Sequence, residues 1–319
     1  VSMARPMLAD AELVKKAFEG REDEINTCIG CNQACLDHGF EGKEISCLVN
    51  PRALNETFLN YEPSTAPKKI AVVGAGPAGL AYATVAAERG HSVTLYDAGS
   101  EIGGQFNLAK QVPGKEEFYE TLRYYSRMLE VHHVDVRLNT KVCAEDLKNG
   151  GYDHVVVATG ITPRTPEVEG IDHPKVVSYV DVIRGNVAVG KKVAVMGAGG
   201  IGFDVSELIM HKGVSAAMDK EVFAREWGID FTNHPRGGVT GVVPQVEAAD
   251  RQVFLLQRKS TPVGRGLGKT TGWTHRMSLA KRGVQMMNGI EYNRVDDQGL
   301  HISIEGVPQV LDVDTVIVC

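Results

Sequence analysis

Lys68-Lys-Ile-Ala-Val-Val-Gly74-Ala-Gly76-Pro-Ala-Gly79 is the stretch on which the reading of this chain turns. A short apolar run, Lys69 to Val73, leads into G-x-G-x-x-G and then into a helical run from Leu80 to Arg89. In a strand, turn and helix of this kind the first glycine allows the tight turn and the second lets a pyrophosphate approach the backbone. The third lets helix and strand pack closely. The helix N-terminus adds free N–H groups and a positive dipole end. The next apolar run, His91 to Tyr96, ends in Asp97, an acidic residue placed to accept from ribose hydroxyls. Gly74, Gly76, Gly79 and Asp97 are therefore expected to hold a dinucleotide.

Downstream, Glu101-Ile-Gly-Gly104-Gln105 offers a glycine pair that lets the chain cross close to the cofactor, with Gln105 as a polar contact. Lys115 is either a pyrophosphate contact or a solvated lysine. A helix is expected over Glu116 to Leu129 and a strand near Val136 to Val142, placing the Val142 amide against an adenine. Tyr152 to Ala158 reads as a further strand, and Pro163-Arg-Thr-Pro166 as an interdomain crossing.

The pattern then repeats. Lys191-Lys-Val-Ala-Val-Met-Gly197-Ala-Gly199-Gly-Ile-Gly202 matches the opening stretch almost position for position, and Asp314-Thr-Val-Ile-Val echoes Asp153-His-Val-Val-Val. This is an internal duplication, so two dinucleotides are implied. In the second unit the next strand, Arg251 to Gln257, runs into Arg258-Lys259 where the first has Asp97. A carboxylate favours ribose hydroxyls and a basic pair favours a 2'-phosphate, so the first site fits FAD and the second NADPH. The bland alternative is an ordinary exposed Arg-Lys pair. The separation of Gly202 from Arg258 far exceeds the roughly 20 residues of the standard unit, so His211 to Asp250 is mostly an insertion. Gly264-Arg-Gly-Leu-Gly-Lys-Thr-Thr-Gly272 resembles a phosphate cradle by composition, but it lacks P-loop spacing and a clear following helix. It reads as a structural loop or a cofactor rim.

Ahead of both units, Cys28, Cys31, Cys35 and Cys47 follow C-x(2)-C-x(3)-C-x(11)-C. Three crowded thiols and one returning thiol meet the ligand demand of a [4Fe-4S] cluster. Tetrahedral zinc is the alternative, though structural zinc sites usually pair two separated C-x-x-C knuckles. Disulfides are disfavoured where no secretory signal stands. Cys143 and Cys319 lie beside apolar runs and read as buried, inert thiols. Residues 1 to 27 read as the end of a strand, a turn at Pro6 to Asp10 and a helix from Ala11 to Glu19. Arg5, at the strand end, is either a cofactor-phosphate ligand or a solvated arginine. Asn55 to Lys69, with Pro63 and Pro67, reads as a linker.

A chain of 319 residues with net charge -6 suits about two globular domains and no nucleic-acid partner. No apolar run approaches the roughly 18 residues of a membrane span, and a cytoplasmic location is the default expectation. Both ends read as unfinished. A nicotinamide donates hydride, a flavin accepts it and releases electrons singly, and an iron-sulfur cluster carries one at a time, so the signals together suggest a redox relay. No Cys-x-x-Cys lies beside the first fingerprint, which disfavours a disulfide reductase, and no catalytic residue is assigned in this chain.

The runs CIGCNQACLD, CLVNPRA, VVGAGPAGLA, YDAGSEIGGQFNLAKQVPGKEEFYETLRYY and LLQRKSTPVGRGLGKTTGWTHR closely resemble the C-terminal half of the bacterial NADPH-dependent 2,4-dienoyl-CoA reductase family. They are similar, more loosely, to trimethylamine dehydrogenase and the enoate reductases. The resemblance covers nearly the whole chain. It implies a relay from NADPH through FAD and [4Fe-4S] to FMN, held by an N-terminal (β/α)8 barrel of the old yellow enzyme type, where a dienoyl-CoA of unsaturated fatty acid β-oxidation is reduced. It further implies Cys28, Cys31, Cys35 and Cys47 as cluster ligands, and Ala78, Asp97, Gln105, Lys115 and Val142 as FAD contacts. Arg5 would be an FMN-phosphate ligand, and Arg258 with Lys259 would hold the NADPH phosphate.

The fold class expected is thus α/β, with two Rossmann-like dinucleotide-binding domains preceded by an iron-sulfur segment and the last unit of a (β/α)8 barrel, both ends being truncated. Residues 1–27 form the barrel end, 28–67 the cluster segment and linker, 68–165 the first part of the FAD domain and 166–319 the NADPH domain. Most of the barrel is absent, so dienoyl-CoA reduction by this chain alone is not expected. Competing readings are a related enoate reductase or amine dehydrogenase and, from another class, a non-catalytic adenine-nucleotide scaffold.

Overall fold

The computed structural model describes residues 2–233, 239–247 and 249–319. They form two compact units, Val1–Lys110 with Glu117–Thr162, and Gln111–Glu116 with Pro163–Cys319. The first unit gathers the expected barrel end, the cysteine segment and the first nucleotide-binding unit.

In the first unit, Arg5–Ala9 (α1) and Leu13–Phe18 (α2) are short helices. The expected strand end at residues 1–6 is not formed, because Pro6 falls at the start of α1, where its fixed φ favours a helix and its missing N–H costs nothing. A π-type turn over Gln33–Asp37 runs into His38–Phe40 (α3). Lys69–Val73 (β1), Pro77–Glu88 (α4) and Ser92–Tyr96 (β2) follow, then Phe106–Ala109 (α5), Phe118–Val131 (α6), Asp135–Arg137 (β3), Ala144–Asn149 (α7) and His154–Val157 (β4). The sheet is parallel, in the order β3-β2-β1-β4. Ile70, Ala71 and Val72 are buried on both faces of β1, as an apolar run in a parallel sheet should be. Helix α6 places Thr121, Tyr125 and Leu129 at four-residue spacing on its buried face, and Tyr125 and Leu129 share one core with Leu80 and Ala83 of α4. Strands β3 and β4 are the two outer strands. Val155 is 43% and Val157 72% exposed on β4.

The strand expected near Val136 to Val142 stops at Arg137. Val142 therefore sits half-buried in the irregular segment before α7. Cys143, expected to be buried, is exposed because it is the N-cap of α7, where its side chain turns back to the helix's first turn instead of to the core.

The second unit comprises Val176–Ser178 (β5), Tyr179–Arg184 (α8), Lys192–Met196 (β6), Gly200–Met210 (α9), Lys220–Trp227 (α10) and Gln252–Leu256 (β7). Gly272–Lys281 (α11), Gln285–Met287 (β8), Ile290–Asp296 (β9), Gly299–Ile304 (β10), Val307–Leu311 (β11) and Thr315–Val318 (β12) complete it. Its parallel sheet runs β5-β12-β6-β7-β8, with an antiparallel sheet β11-β10-β9 inserted before β12. The path β8-β7-β6-β12 repeats β3-β2-β1-β4, which is the duplication seen in the sequence. Even its polar detail recurs: Asp153 accepts from the Lys69 amide, and Asp314 from the amides of Lys191 and Lys192. The insertion expected over His211 to Asp250 contains α10, whose N-cap Asp219 accepts from the amides of Glu221 and Val222. Residues 234–238 and 248 of that insertion lie outside the described residues. The Gly264–Gly272 loop, expected to lack a following helix, leads directly into α11. No described helix is long and apolar enough to cross a membrane.

Candidate functional site

The four cysteines of the first unit line one cavity, together with Arg5, Leu8, Asn32 and Leu48. Local backbone geometry brings them there. Asn32 takes a left-handed conformation (φ 57°) and starts the π-type turn that carries Cys35. The Ser46 amide donates to the Ala34 carbonyl (2.8 Å), folding Cys47 back onto that turn. Burial pushes the Cys31 and Cys47 thiols above their ordinary range, and the neighbouring cysteines add to the shift. All are free thiols. Among the described residues no three His, Cys, Asp or Glu side chains close to the spacing of a single metal ion. Four sulfurs around one cavity, with no carboxylate in the lining, are a donor set that could hold a polynuclear iron-sulfur core.

The polar residues that brace this cradle carry no sequence pattern, and sequence reasoning missed them. Buried Asp10 accepts from the Asn26 amide (2.9 Å) and from Lys16 Nζ (2.7 Å). Asn26 Nδ2 donates to the Val49 carbonyl (2.7 Å) and Asn50 Nδ2 to that of Leu8 (2.9 Å). Arg123 of α6 donates to the carbonyls of Asp23 (2.5 Å) and Ile25 (2.7 Å), and to Thr27 Oγ1 (3.3 Å), just ahead of Cys28. Arg5 stands at the start of α1, where its guanidinium bonds Asn32 Oδ1 beside the thiols.

At the first fingerprint the three glycines have separate steric roles. A Cβ on Gly79 would lie 1.8 Å from the Gly74 carbonyl oxygen, and one on Gly74 (φ 108°) would lie 2.3 Å from that of Ala158. A Cβ on Gly76 would meet nothing within 4 Å. The loop is thus closed on the protein side and open at the middle glycine, as a backbone that receives a pyrophosphate must be. Ala78 is exposed at the start of α4. The glycine pair crosses at this point, since the Gly103 amide donates to the Ala75 carbonyl (2.7 Å).

Asp97 braces the loop around the fingerprint. Its Oδ2 accepts from the Ala75 amide (2.7 Å) and its Oδ1 from that of Gly99 (2.7 Å). A carboxylate has about four acceptor positions, so the remainder stay available to hydroxyls. Asp97→Ala is expected to lower the stability of the first unit by about 1–3 kcal/mol, the cost of leaving the part-buried Ala75 N–H unpaired. Thermal unfolding measures this, and an unchanged midpoint would remove the bracing role. Gln105 donates to the Ile161 carbonyl (2.8 Å).

Lys115 belongs to the second unit, where it pairs at 2.5 Å with Asp204, on the helix that opens at the second fingerprint.

The second fingerprint repeats the steric logic: a Cβ on Gly202 would lie 1.8 Å from the Gly197 carbonyl oxygen, and one on Gly199 would meet nothing. Cys319 follows β12 and lies beside Gly197, and burial, with Asp204 nearby, pushes its thiol up to about 12. Register corrects the expected correspondence at the next strand. Tyr96 lies opposite Val73 and Leu256 opposite Met196, so the counterpart of Asp97 is Gln257, with Arg258 and Lys259 one and two residues beyond. The Gln257 carboxamide folds onto the carbonyls of Lys259 (3.1 Å) and Thr261 (2.6 Å). A neutral side chain thus replaces the carboxylate, and two exposed cations follow it.

The pyridine nucleotide-disulphide oxidoreductase family matches residues 68–319. A metal reductase of Desulforamulus reducens is 32% identical over 99% of this chain and 47% of its own length. A cinnamate reductase of Clostridium sporogenes is 34% identical over 67% of this chain and 32% of its own. The structure of a 2-naphthoyl-CoA reductase in complex with 2-naphthoyl-CoA superposes with a TM-score of 0.83 at 30% identity, over 99% of this chain and 43% of that one. The chain spans about half the length, or less, of these relatives. With two duplicated nucleotide-binding sheets and a family match across both, the chain belongs to the pyridine nucleotide-disulphide oxidoreductase family.

Proposed function

We propose that this chain is the electron-input half of an NADPH-dependent flavoenzyme that reduces a conjugated carbon-carbon double bond, with a 2,4-dienoyl-CoA as substrate. The observation that carries the reading is the presence, in one chain, of a four-thiol cavity and two fingerprints whose following strands end differently. The first unit takes FAD: Gly76 leaves the approach open and Asp97 presents its remaining acceptors to a ribose. The second takes NADPH: neutral Gln257 does not repel a 2'-phosphate, and Arg258 and Lys259 attract it. Cys28, Cys31, Cys35 and Cys47 hold a [4Fe-4S] cluster, and Arg5 stands beside them. Together these groups convert a hydride donor into a source of single electrons. The FMN and the acyl thioester belong to a barrel in the remainder of the longer protein. The relatives named for cinnamate and 2-naphthoyl-CoA reduction favour a conjugated acyl substrate.

The test is an anaerobic titration of the full-length protein. NADPH is expected to bleach the flavin absorbance, and a 2,4-dienoyl-CoA to restore it. Bleaching without recovery would keep the input role and remove the thioester. No bleaching by NADPH would remove both.

A further inference from the structure

We propose that Arg123 of α6 is a positioning residue that fixes Cys28 relative to the first fingerprint, through a forked grip on the backbone leading into that cysteine. The inference rests on the reading above for what the two sites hold. Helix α6 has one side on the fingerprint helix, where Tyr125 and Leu129 share a buried core with Leu80 and Ala83 of α4. Helix α4 opens at Gly76, the glycine left free for a pyrophosphate. Arg123 points from α6 to the cysteine segment. Its Nη1 donates to the Asp23 carbonyl (2.5 Å), and its Nη2 to the Ile25 carbonyl (2.7 Å) and Thr27 Oγ1 (3.3 Å). Its Nε donates to Glu120 (2.6 Å), which orients the guanidinium from within the helix. All three nitrogens are used, and the planar fork spans two carbonyls that lie two residues apart.

The gripped segment reaches the cysteine cavity by its alternate groups. The Glu24 carbonyl accepts from Lys16 Nζ (2.9 Å), the Asn26 amide donates to Asp10 (2.9 Å), and Asn26 Nδ2 donates to the Val49 carbonyl (2.7 Å), two residues past Cys47. Ile25 is extended (φ −74°, ψ 125°), a conformation in which successive groups face opposite ways. Residues 23, 25 and 27 are thus tied to α6, and 24 and 26 to the supports of the cavity. The segment is a strut between the two, and it ends at Cys28. One turn along α6, Arg127 offers a contrast. It pairs with the carboxylates of Asp23 (2.8 Å) and Glu24 (3.5 Å) and touches no carbonyl of the strut; the Asp23 side chain is 55% exposed. A pair open to solvent holds little. Lysine at position 123 would keep the charge and lose the fork, so the two properties can be separated.

The experiment compares the full-length protein with its Arg123→Lys, Arg123→Gln and Arg127→Gln variants. Flavin content, iron release to bathophenanthroline disulfonate and the electron paramagnetic resonance spectrum after dithionite reduction are measured. Both Arg123 variants are expected to keep flavin and to give up half their iron at a chelator concentration about tenfold or more lower, the scale of losing a group that orients a metal ligand. The cluster that remains should give a shifted spectrum, because the Cys28 sulfur is no longer held at one angle. Arg127→Gln is expected to match wild type in all three measurements. Wild-type iron release by Arg123→Gln, rescue by Arg123→Lys, or an unchanged spectrum in both Arg123 variants overturns the proposal. So does equal iron loss in Arg127→Gln, or loss of flavin together with iron, since either would mean that the whole unit had weakened. Wild-type protein without iron would remove the cluster reading itself, which no outcome among the variants does.

Discussion

Cys35→Ser is expected to strip the iron-sulfur absorbance from the full-length protein and to stop electrons from passing beyond the flavin, while NADPH still bleaches it. Four-ligand structural zinc sites bind with about 10–16 kcal/mol, the scale taken here for a four-thiolate cradle. One ligand in four is then about 3 kcal/mol, which alone lowers affinity a hundredfold or more. Cys35 is the sharpest choice, because the π-type turn that starts at left-handed Asn32 presents it to the cavity. Serine keeps the size of the side chain and leaves the turn's backbone bonds intact, including the one from the Asp37 amide to the Asn32 carbonyl (2.9 Å). Cys28→Ser, Cys31→Ser and Cys47→Ser should behave alike, and Cys143→Ser, exposed at a helix cap, should not. Iron content and visible absorbance check this. Full iron in Cys35→Ser would remove the cluster assignment.

The second large effect is steric. Gly79→Ala places a methyl 1.8 Å from the Gly74 carbonyl oxygen, and Gly202→Ala does the same against Gly197. Alanine gains about 1 kcal/mol over glycine in a helix. The obstacle is backbone, so the strand-to-helix turn must open, and the overpacking cost of about 3 kcal/mol or more wins. A net loss of about 2 kcal/mol lowers the midpoint of a unit of this size by roughly 4–8 °C. Function separates the two sites: Gly79→Ala should empty the flavin site, whereas Gly202→Ala should keep flavin and lose its reduction by NADPH. Gly76→Ala is the control, because its Cβ meets nothing. It should unfold like wild type and still bind flavin poorly. Normal flavin binding by Gly76→Ala would show that the pyrophosphate does not cross that glycine.

Much of this architecture is legible in the sequence because duplication makes a pattern self-checking. Two copies of strand, G-x-G-x-x-G and helix give β1-α4 and β6-α9, and the echo of Asp153 in Asp314 reports a shared hydrogen bond to the amides that open β1 and β6. The cysteine spacing likewise places four thiols around one cavity. What escaped depends on contacts between residues far apart in sequence. Lys115 goes to Asp204 because of a charge that no local pattern announces. The true counterpart of Asp97 is Gln257, since only pairing across the sheet fixes which residue ends a strand. Asp10, Asn26, Asn50 and Arg123 brace the cradle through single side-chain bonds to distant backbone, and a lone polar residue has no periodicity to betray it.

Strand β4 bears on how the chain behaves in a test tube. Its valines at 155 and 157 point apolar surface outward, and as the last strand of its sheet it leaves one row of peptide groups without a neighbouring strand. Such an edge is a template for another strand. For this chain taken alone, concentration therefore matters as much as temperature: a second-order encounter between edges competes with first-order unfolding, and colloidal life in dilute solution should outlast that in a concentrated one.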